Sequence, residues 1–302
     1  MTAFVEIMPR DLAHIFHPTD LSPASMAAFG HALKLSLAMR SDLTIMHVDP
    51  ARAEPDFDDF PRVRATLSRW GLLGEGATKE DFLALGLSAR KIRAMAEDPV
   101  ASILQLLWRK PADLIVMATH PKDTLGQWLS DPQWRSNPVS QSLVRKARVM
   151  SLFVPDQCKG LVSLDTGAVS MQRILIPVDH RPLPQAAVDA ACMIAAGLGI
   201  QDATFEILYV GSNAHMPKLH LPRRQGWIWQ QRHTEGVVVD EILDVAGWLQ
   251  PDLIVMATEW RHGFLDALRG STTERVLRRT ACPLLAVPVH GSLASPRIAE
   301  MA

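Results

Sequence analysis

Residues able to do chemistry gather in two stretches of the second half of this 302-residue chain. The first is Ile174-Leu-Ile-Pro-Val-Asp179, an apolar run that ends on a carboxylate and is followed by His180. The second is Pro251-Asp-Leu-Ile-Val-Met-Ala-Thr258, which leads through Glu259, Trp260, His262 and Asp266 to Gly270-Ser271. Ser271, with Glu274 three residues on, reads as a capping box opening a helix that runs to about Arg279. A helix start of this kind faces solvent with unpaired N–H groups, so the corner binds anions. A different chemistry would use the imidazoles. His180, His215, His262 and Asp266 all fall at or beyond the same expected edge, and such groups bind a divalent metal such as zinc or act as an acid/base pair. Their spacing matches no established metal signature, and the 11 histidines of the chain bring some together by accident. The plainer reading is a set of solvated loop residues.

The elements that must position these residues are written twice. Pro251-Asp-Leu-Ile-Val-Met-Ala-Thr258 returns from Pro111-Ala-Asp-Leu-Ile-Val-Met-Ala-Thr119, an internal duplication. Each copy is a short, branched, apolar run that reads as a strand buried on both faces. His17-Pro-Thr-Asp20 and Ile176-Pro-Val-Asp179 form a second matched pair, each before an alanine-rich helical stretch. In the first half the pattern gives strands at 11–16, 42–48, 91–95, 113–118 and 149–154. Helices are expected at 25–40, 61–70, 99–109 and 139–146. In the second half strands are expected at 173–178, 204–210, 227–232, 252–257 and 283–289, with helices at 184–199, 237–249 and 271–280. Between Gly211 and Gly226 no helix is evident. Trp227-Ile-Trp229 alternates as a strand does, with indoles that fill a sheet face. Strands alternating with helices make an open parallel α/β sheet, in which ligands sit beyond the carboxyl ends of the strands.

Composition bounds the function. With 48% hydrophobic and 21% charged residues the chain can bury two ordinary cores. A net charge of −1 leaves no basic excess for a phosphate backbone, so no nucleic-acid partner is expected. No apolar run approaches a membrane span, and the N-terminus has no signal-like core, which places the protein in the cytoplasm. The three cysteines, Cys158, Cys192 and Cys282, are odd in number and read as free thiols, with Cys282 buried and Cys158 the most exposed. No Walker-type loop or nucleophile elbow occurs.

The chain resembles a tandem universal stress protein of the UspA family. The residues that carry the resemblance are Ile174-Leu-Ile-Pro-Val-Asp179, Asp252-Leu-Ile-Val-Met256, Gly270-Ser-Thr-Thr-Glu-Arg-Val-Leu277 and Cys282-Pro-Leu-Leu-Ala-Val-Pro288. The resemblance implies two Rossmann-like domains of the adenine-nucleotide alpha-hydrolase type, paired through their last strands as an internal pseudo-dimer that can dimerise again. It divides the chain into a domain at 1–157, a linker at 158–172, a domain at 173–290 and a tail at 291–302. It further implies a non-enzymatic stress-response module. ATP-binding members use an aspartate after the first strand and a G-x2-G-x9-G-S/T loop. In this chain those positions are Asp179, Ala257, Trp260, Gly270 and Ser271, with Val178 and Thr272 beside them. Gly270 and Ser271 match, whereas alanine and tryptophan replace the first two glycines. The resemblance therefore implies ATP or AMP, with magnesium alongside ATP, in the second half. In the first half the serine position aligns with Asn137-Pro138, where proline removes an N–H, and a loop carrying Trp128 and Trp134 is longer. That copy keeps the fold and loses the phosphate site. A ligand-free scaffold is the remaining alternative.

Overall fold

The computed structural model describes residues 12–49, 57–74, 76–119, 149–156, 158–259 and 271–289. The first half comprises β1 (His14–Pro18), α1 (Pro23–Met39), β2 (Asp42–Val48), α2 (Val63–Arg69), α3 (Lys79–Ala84), β3 (Ser88–Ala94), α4 (Pro99–Arg109), β4 (Leu114–Thr119) and β5 (Met150–Pro155). The second comprises β6 (Arg173–Val178), α5 (Gln185–Gly197), β7 (Ala203–Val210), β8 (Trp227–Thr234), α6 (Val238–Leu249), β9 (Leu253–Glu259), α7 (Thr272–Leu277) and β10 (Leu284–Val289). A single 3₁₀ turn, Asn213–His215, interrupts the stretch after β7.

The strands form one ten-stranded sheet in the order β3-β2-β1-β4-β5-β10-β9-β6-β7-β8. Within each half all pairings are parallel, and the halves meet where β5 and β10 run antiparallel, with Leu284 opposite Phe153 and Leu285 opposite Leu152. The expected internal pseudo-dimer is therefore one continuous sheet. Successive strand residues point to opposite faces, and the two cores divide accordingly. Ile174 and Ile176 join a core with Phe29, Leu33 and Val188 from α1 and α5; Leu175 joins the other with Leu104, Ile242 and Val276 from α4, α6 and α7. Each core draws on both halves, so neither half is closed without the other.

The sequence-based boundaries hold for β2, α4 and β6 and shift by a few residues at most other elements. β3 begins at Ser88 rather than Lys91, because Asp42 to Val48 template its pairing through a polar stretch without an apolar signature. α3 was not expected; a capping box between Thr78 and Asp81 starts it. The helix expected at 139–146 lies outside the described residues. Trp227 and Trp229 pack over Phe205 at 4.9 and 4.4 Å, filling the sheet face as their alternation implies. Cys282 and Cys158 are both half-buried, with burial raising the Cys158 thiol above its ordinary pKa, so Cys158 is less open than expected. No helix among the described residues is long and apolar enough to cross a membrane.

The segment joining the halves is packed against the first. His31 of α1 is fully buried; its Nδ1 donates to the Ala27 carbonyl at 2.7 Å, so Nε2 accepts the N–H groups of Leu161 and Val162 at 2.8 and 3.3 Å. Trp70 Nε1 donates to the Leu164 carbonyl at 2.9 Å. Two glycines permit this fit in the left-handed region, since a Cβ on Gly160 would lie 2.6 Å from the His31 ring and one on Gly167 2.5 Å from the Trp70 ring.

Two outcomes follow. Leu285 and Leu152 are buried opposite each other at the seam, so Leu285→Ala should cost about 2–4 kcal/mol in urea unfolding; an unchanged midpoint would show that the seam contributes little. Burial holds His17 and His31 near pKa 4, from an ordinary 6.5. The unfolded chain protonates these groups first, so their contribution is complete above about pH 6.5 and falls as the pH drops toward 4, on the order of 3 kcal/mol for each. Urea midpoints across that range should decline, and His31→Gln should flatten the decline; a level profile in the parent protein would contradict this.

Candidate functional site

In each half the order of strands reverses at one place. From β6 the chain builds outward to β7 and β8, then returns to the other side as β9 and β10; the first half does the same between β1 and β4. Such a reversal leaves a crevice at the carboxyl ends, where connections leave in opposite directions. The pairing shows it opening. β6 and β9 share only Ile174 with Leu253 and Leu175 with Ile254, after which β6 continues to Val178 and β9 to Glu259. β1 and β4 likewise share only Ile15 with Leu114 and Phe16 with Ile115. Pro177 and Pro18 stand at matching places beyond the last shared pair, and neither has an N–H with which to extend a ladder.

Around the second-half crevice, Val178 is buried at the end of β6 and Asp179 is exposed just beyond it. Asp179 Oδ1 accepts the N–H of His180 at 2.7 Å. The His180 ring crosses to the neighbouring strand end: Nε2 donates to the His215 carbonyl at 2.7 Å, and the ring meets Tyr209 edge-on at 6.1 Å. Ala257 is half-buried on β9, in the core shared with α1 and α5. Ser271 caps α7, its Oγ accepting the Glu274 N–H at 3.1 Å, and Thr272 is the first helical residue. Glu274, whose N–H makes the Ser271 half of the expected capping box, is buried with Oε1 accepting from Nη2 of Arg278, just past the end of α7, at 2.7 Å. α7 has only six residues, ending at Leu277 instead of Thr280. Trp260, His262, Asp266 and Gly270 lie outside the described residues. Of the imidazole set, the structure brings His180 together with the 213–215 turn through a backbone carbonyl. That use of Nε2 as a donor leaves it no lone pair for a metal. Among the described residues no three His, Cys, Asp or Glu side chains are grouped to hold one.

The first half departs from this arrangement at one residue the sequence reading passed over. His17, at the position of Ile176, reaches across the opening between β1 and β4 and donates from Nδ1 to the Val116 carbonyl at 2.8 Å. The imidazole is completely buried, and burial lowers its pKa to about 4, so it is neutral at physiological pH. Its Nε2 has no hydrogen-bond partner among the described residues. Asp20 is exposed, as Asp179 is, but it accepts the Ser22 N–H at 3.0 Å and the Ser25 hydroxyl, and so organises the start of α1. The one available signal was the mismatch of His17 with Ile176 inside an otherwise parallel Pro-x-Asp phrase.

Comparison with known proteins agrees with this architecture. The model for the universal stress protein family matches residues 13–155 and 224–288. A universal stress protein of Methanocaldococcus jannaschii is 43% identical over 53 residues, a stretch covering 18% of this chain and 31% of that protein, so under a third of the relative's length is represented. Among solved structures, a universal stress protein from Archaeoglobus fulgidus superposes with a TM-score of 0.54 at 18% identity, covering 91% of this chain and 98% of that one. A functionally unknown protein from Pseudomonas aeruginosa gives a TM-score of 0.56 at 16% identity, covering 92% of this chain and 93% of its own. At such identities the structural likeness is one of fold. The family match, by contrast, spans more than half of the sequence and touches both copies, and on that basis the chain belongs to the universal stress protein family.

Proposed function

We propose that the protein is a non-enzymatic stress-response module in which the second copy, residues 173–290, binds an adenine nucleotide such as ATP or AMP, while the first, residues 1–157, serves as scaffold. The observation that carries this reading is the contrast between the two crevices. Where β1 parts from β4 a buried imidazole closes the opening onto the Val116 carbonyl; where β6 parts from β9 the corresponding residue is Ile176, which has no polar atom to make such a bridge. Val178 and Ala257 supply apolar walls at that opening, and Asp179 is exposed at its rim with a carboxylate that can accept from an adenine or ribose donor. Ser271 and Thr272 begin α7, where backbone N–H groups and hydroxyls suit a phosphate. These residues fit a nucleoside monophosphate better than a bare anion, because they combine apolar, acceptor and donor groups. Magnesium would enter only as the counter-ion of ATP.

Calorimetric titration with AMP and with ATP, the latter with and without magnesium, tests the reading. The parent protein should bind at least one nucleotide, and Asp179→Ala and Ser271→Ala should each weaken it about tenfold or more, equivalent to about 1.4 kcal/mol. A sharper variant is Ile176→His, which carries the first copy's imidazole into the second crevice. It should abolish measurable binding while leaving the fold intact by circular dichroism. Absence of binding by the parent protein, or undiminished binding by all three variants, would reject the assignment.

A further inference from the structure

β3 is the terminal strand at the first-half end of the sheet, and it places Lys91 and Arg93 on the same face, two residues apart. Both lean over one aromatic ring. Lys91 Nζ lies 5.9 Å and Arg93 Cζ 5.7 Å from the centroid of Phe60, which is itself 1% exposed. His47, the register partner of Arg93 on β2, meets the same ring edge-on at 6.3 Å, and Phe57 packs on it at 5.4 Å. The position is close to the carboxyl ends of β2 and β3, the edge at which open α/β sheets receive ligands.

Arg93 Nε and Nη1 are buried and have no acceptor among the described residues. A guanidinium stays protonated, and stacking over Phe60 engages its face, leaving its N–H edge unsatisfied. Burial and the positive charge of Arg62 together lower the pKa of Lys91, outweighing the opposing influence of Asp58, the carboxylate that faces it. An anion is the partner that the unsatisfied donors of Arg93 would take. The second copy has no counterpart, since His233, one step beyond Arg232 on β8, is exposed and not stacked on a buried phenylalanine.

We infer that the first copy holds a binding site for a phosphate group, free or as a phosphate monoester, formed by Arg93, Lys91 and Arg62 around Phe60. Arg93 offers a fork of donors and Lys91 and Arg62 supply charge, the chemistry that recognises a phosphoryl dianion. The site lies in the opposite half from Asp179 and Ser271, so it is independent of the nucleotide reading.

Thermal unfolding in inorganic phosphate, pyrophosphate and AMP, each against chloride at matched ionic strength, tests the site. The parent midpoint should rise saturably with at least one of these anions. Arg93→Met, which keeps an apolar stem over Phe60, should shift the half-saturating concentration at least about tenfold, and Lys91→Met should shift it in the same direction if Arg93→Met does not fold. Asp179→Ala and Ser271→Ala should leave the phosphate and pyrophosphate response intact. A response to inorganic phosphate identifies a free anion as sufficient; one confined to AMP and lost in Arg93→Met identifies a monoester. No saturable rise with any of the three, or an equal rise in the parent, Arg93→Met and Lys91→Met, would overturn the assignment.

Discussion

The antiparallel contact between β5 and β10 is the constraint on which the rest of the molecule depends. Each half by itself is a five-stranded parallel sheet whose last strand would end in unpaired N–H and C=O groups, a surface that sheet proteins must cover. By pairing Ser151 to Phe153 with Leu284 to Ala286 the chain removes both of those edges at once and leaves only β3 and β8 at the ends. The two cores then run across the seam, with residues of α1 and α5 on one face and of α4, α6 and α7 on the other. Burial of apolar surface is the main favourable term in folding, and both cores take residues from both copies.

Much of this was legible in the sequence, for definite reasons. The repeated Asp-Leu-Ile-Val-Met-Ala-Thr phrase marks β4 and β9 because a strand buried on both faces has to be apolar throughout. The helix expected at 99–109 is α4, and the structure shows its start capped by Asp98, whose side chain accepts the Ala101 N–H at 2.9 Å. β3 was legible only in part, because an edge strand reading Ser-Ala-Arg-Lys-Ile-Arg-Ala has no apolar alternation to detect; its limits come from pairing with β2. Of the residues that the family resemblance picked out around the second crevice, Val178 and Asp179 fall at the end of β6, Ala257 near the end of β9 and Ser271 at the start of α7. What sequence could not supply was the reach of a side chain across the sheet. His17 onto Val116, His180 onto the His215 carbonyl and His31 onto the Leu161 amide each join residues far apart in the chain, and nothing local specifies the partner.

Those same histidines show how two copies of one fold diverge. A crevice at a strand reversal is imposed by topology, so neither copy can avoid having one. What each copy controls is the residue that borders it. A neutral imidazole satisfies a carbonyl of the parting strand and fills the first opening, while isoleucine at the corresponding place keeps the second apolar. The first copy also uses Asp20 to organise its own helix start, whereas among the described residues Asp179 accepts the next residue's amide. The two crevices thus differ in what their bordering polar groups bond to, while the strand order around them is the same.

Tethering the copies in one chain has a consequence for the seam itself. In a twofold dimer of separate subunits every substitution at the interface appears twice, and the surface must remain complementary to itself. Here Leu284 faces Phe153 and Ala286 faces Ser151, pairs of unlike residues that a self-matching interface would have to accommodate in both directions. The connecting segment, held down on α1 and α2 by His31 and Trp70, also fixes the effective concentration of one half around the other, so the contact survives any dilution of the protein. Each side of the seam is thereby released to change alone, and the symmetry that founded the fold is no longer required to maintain it.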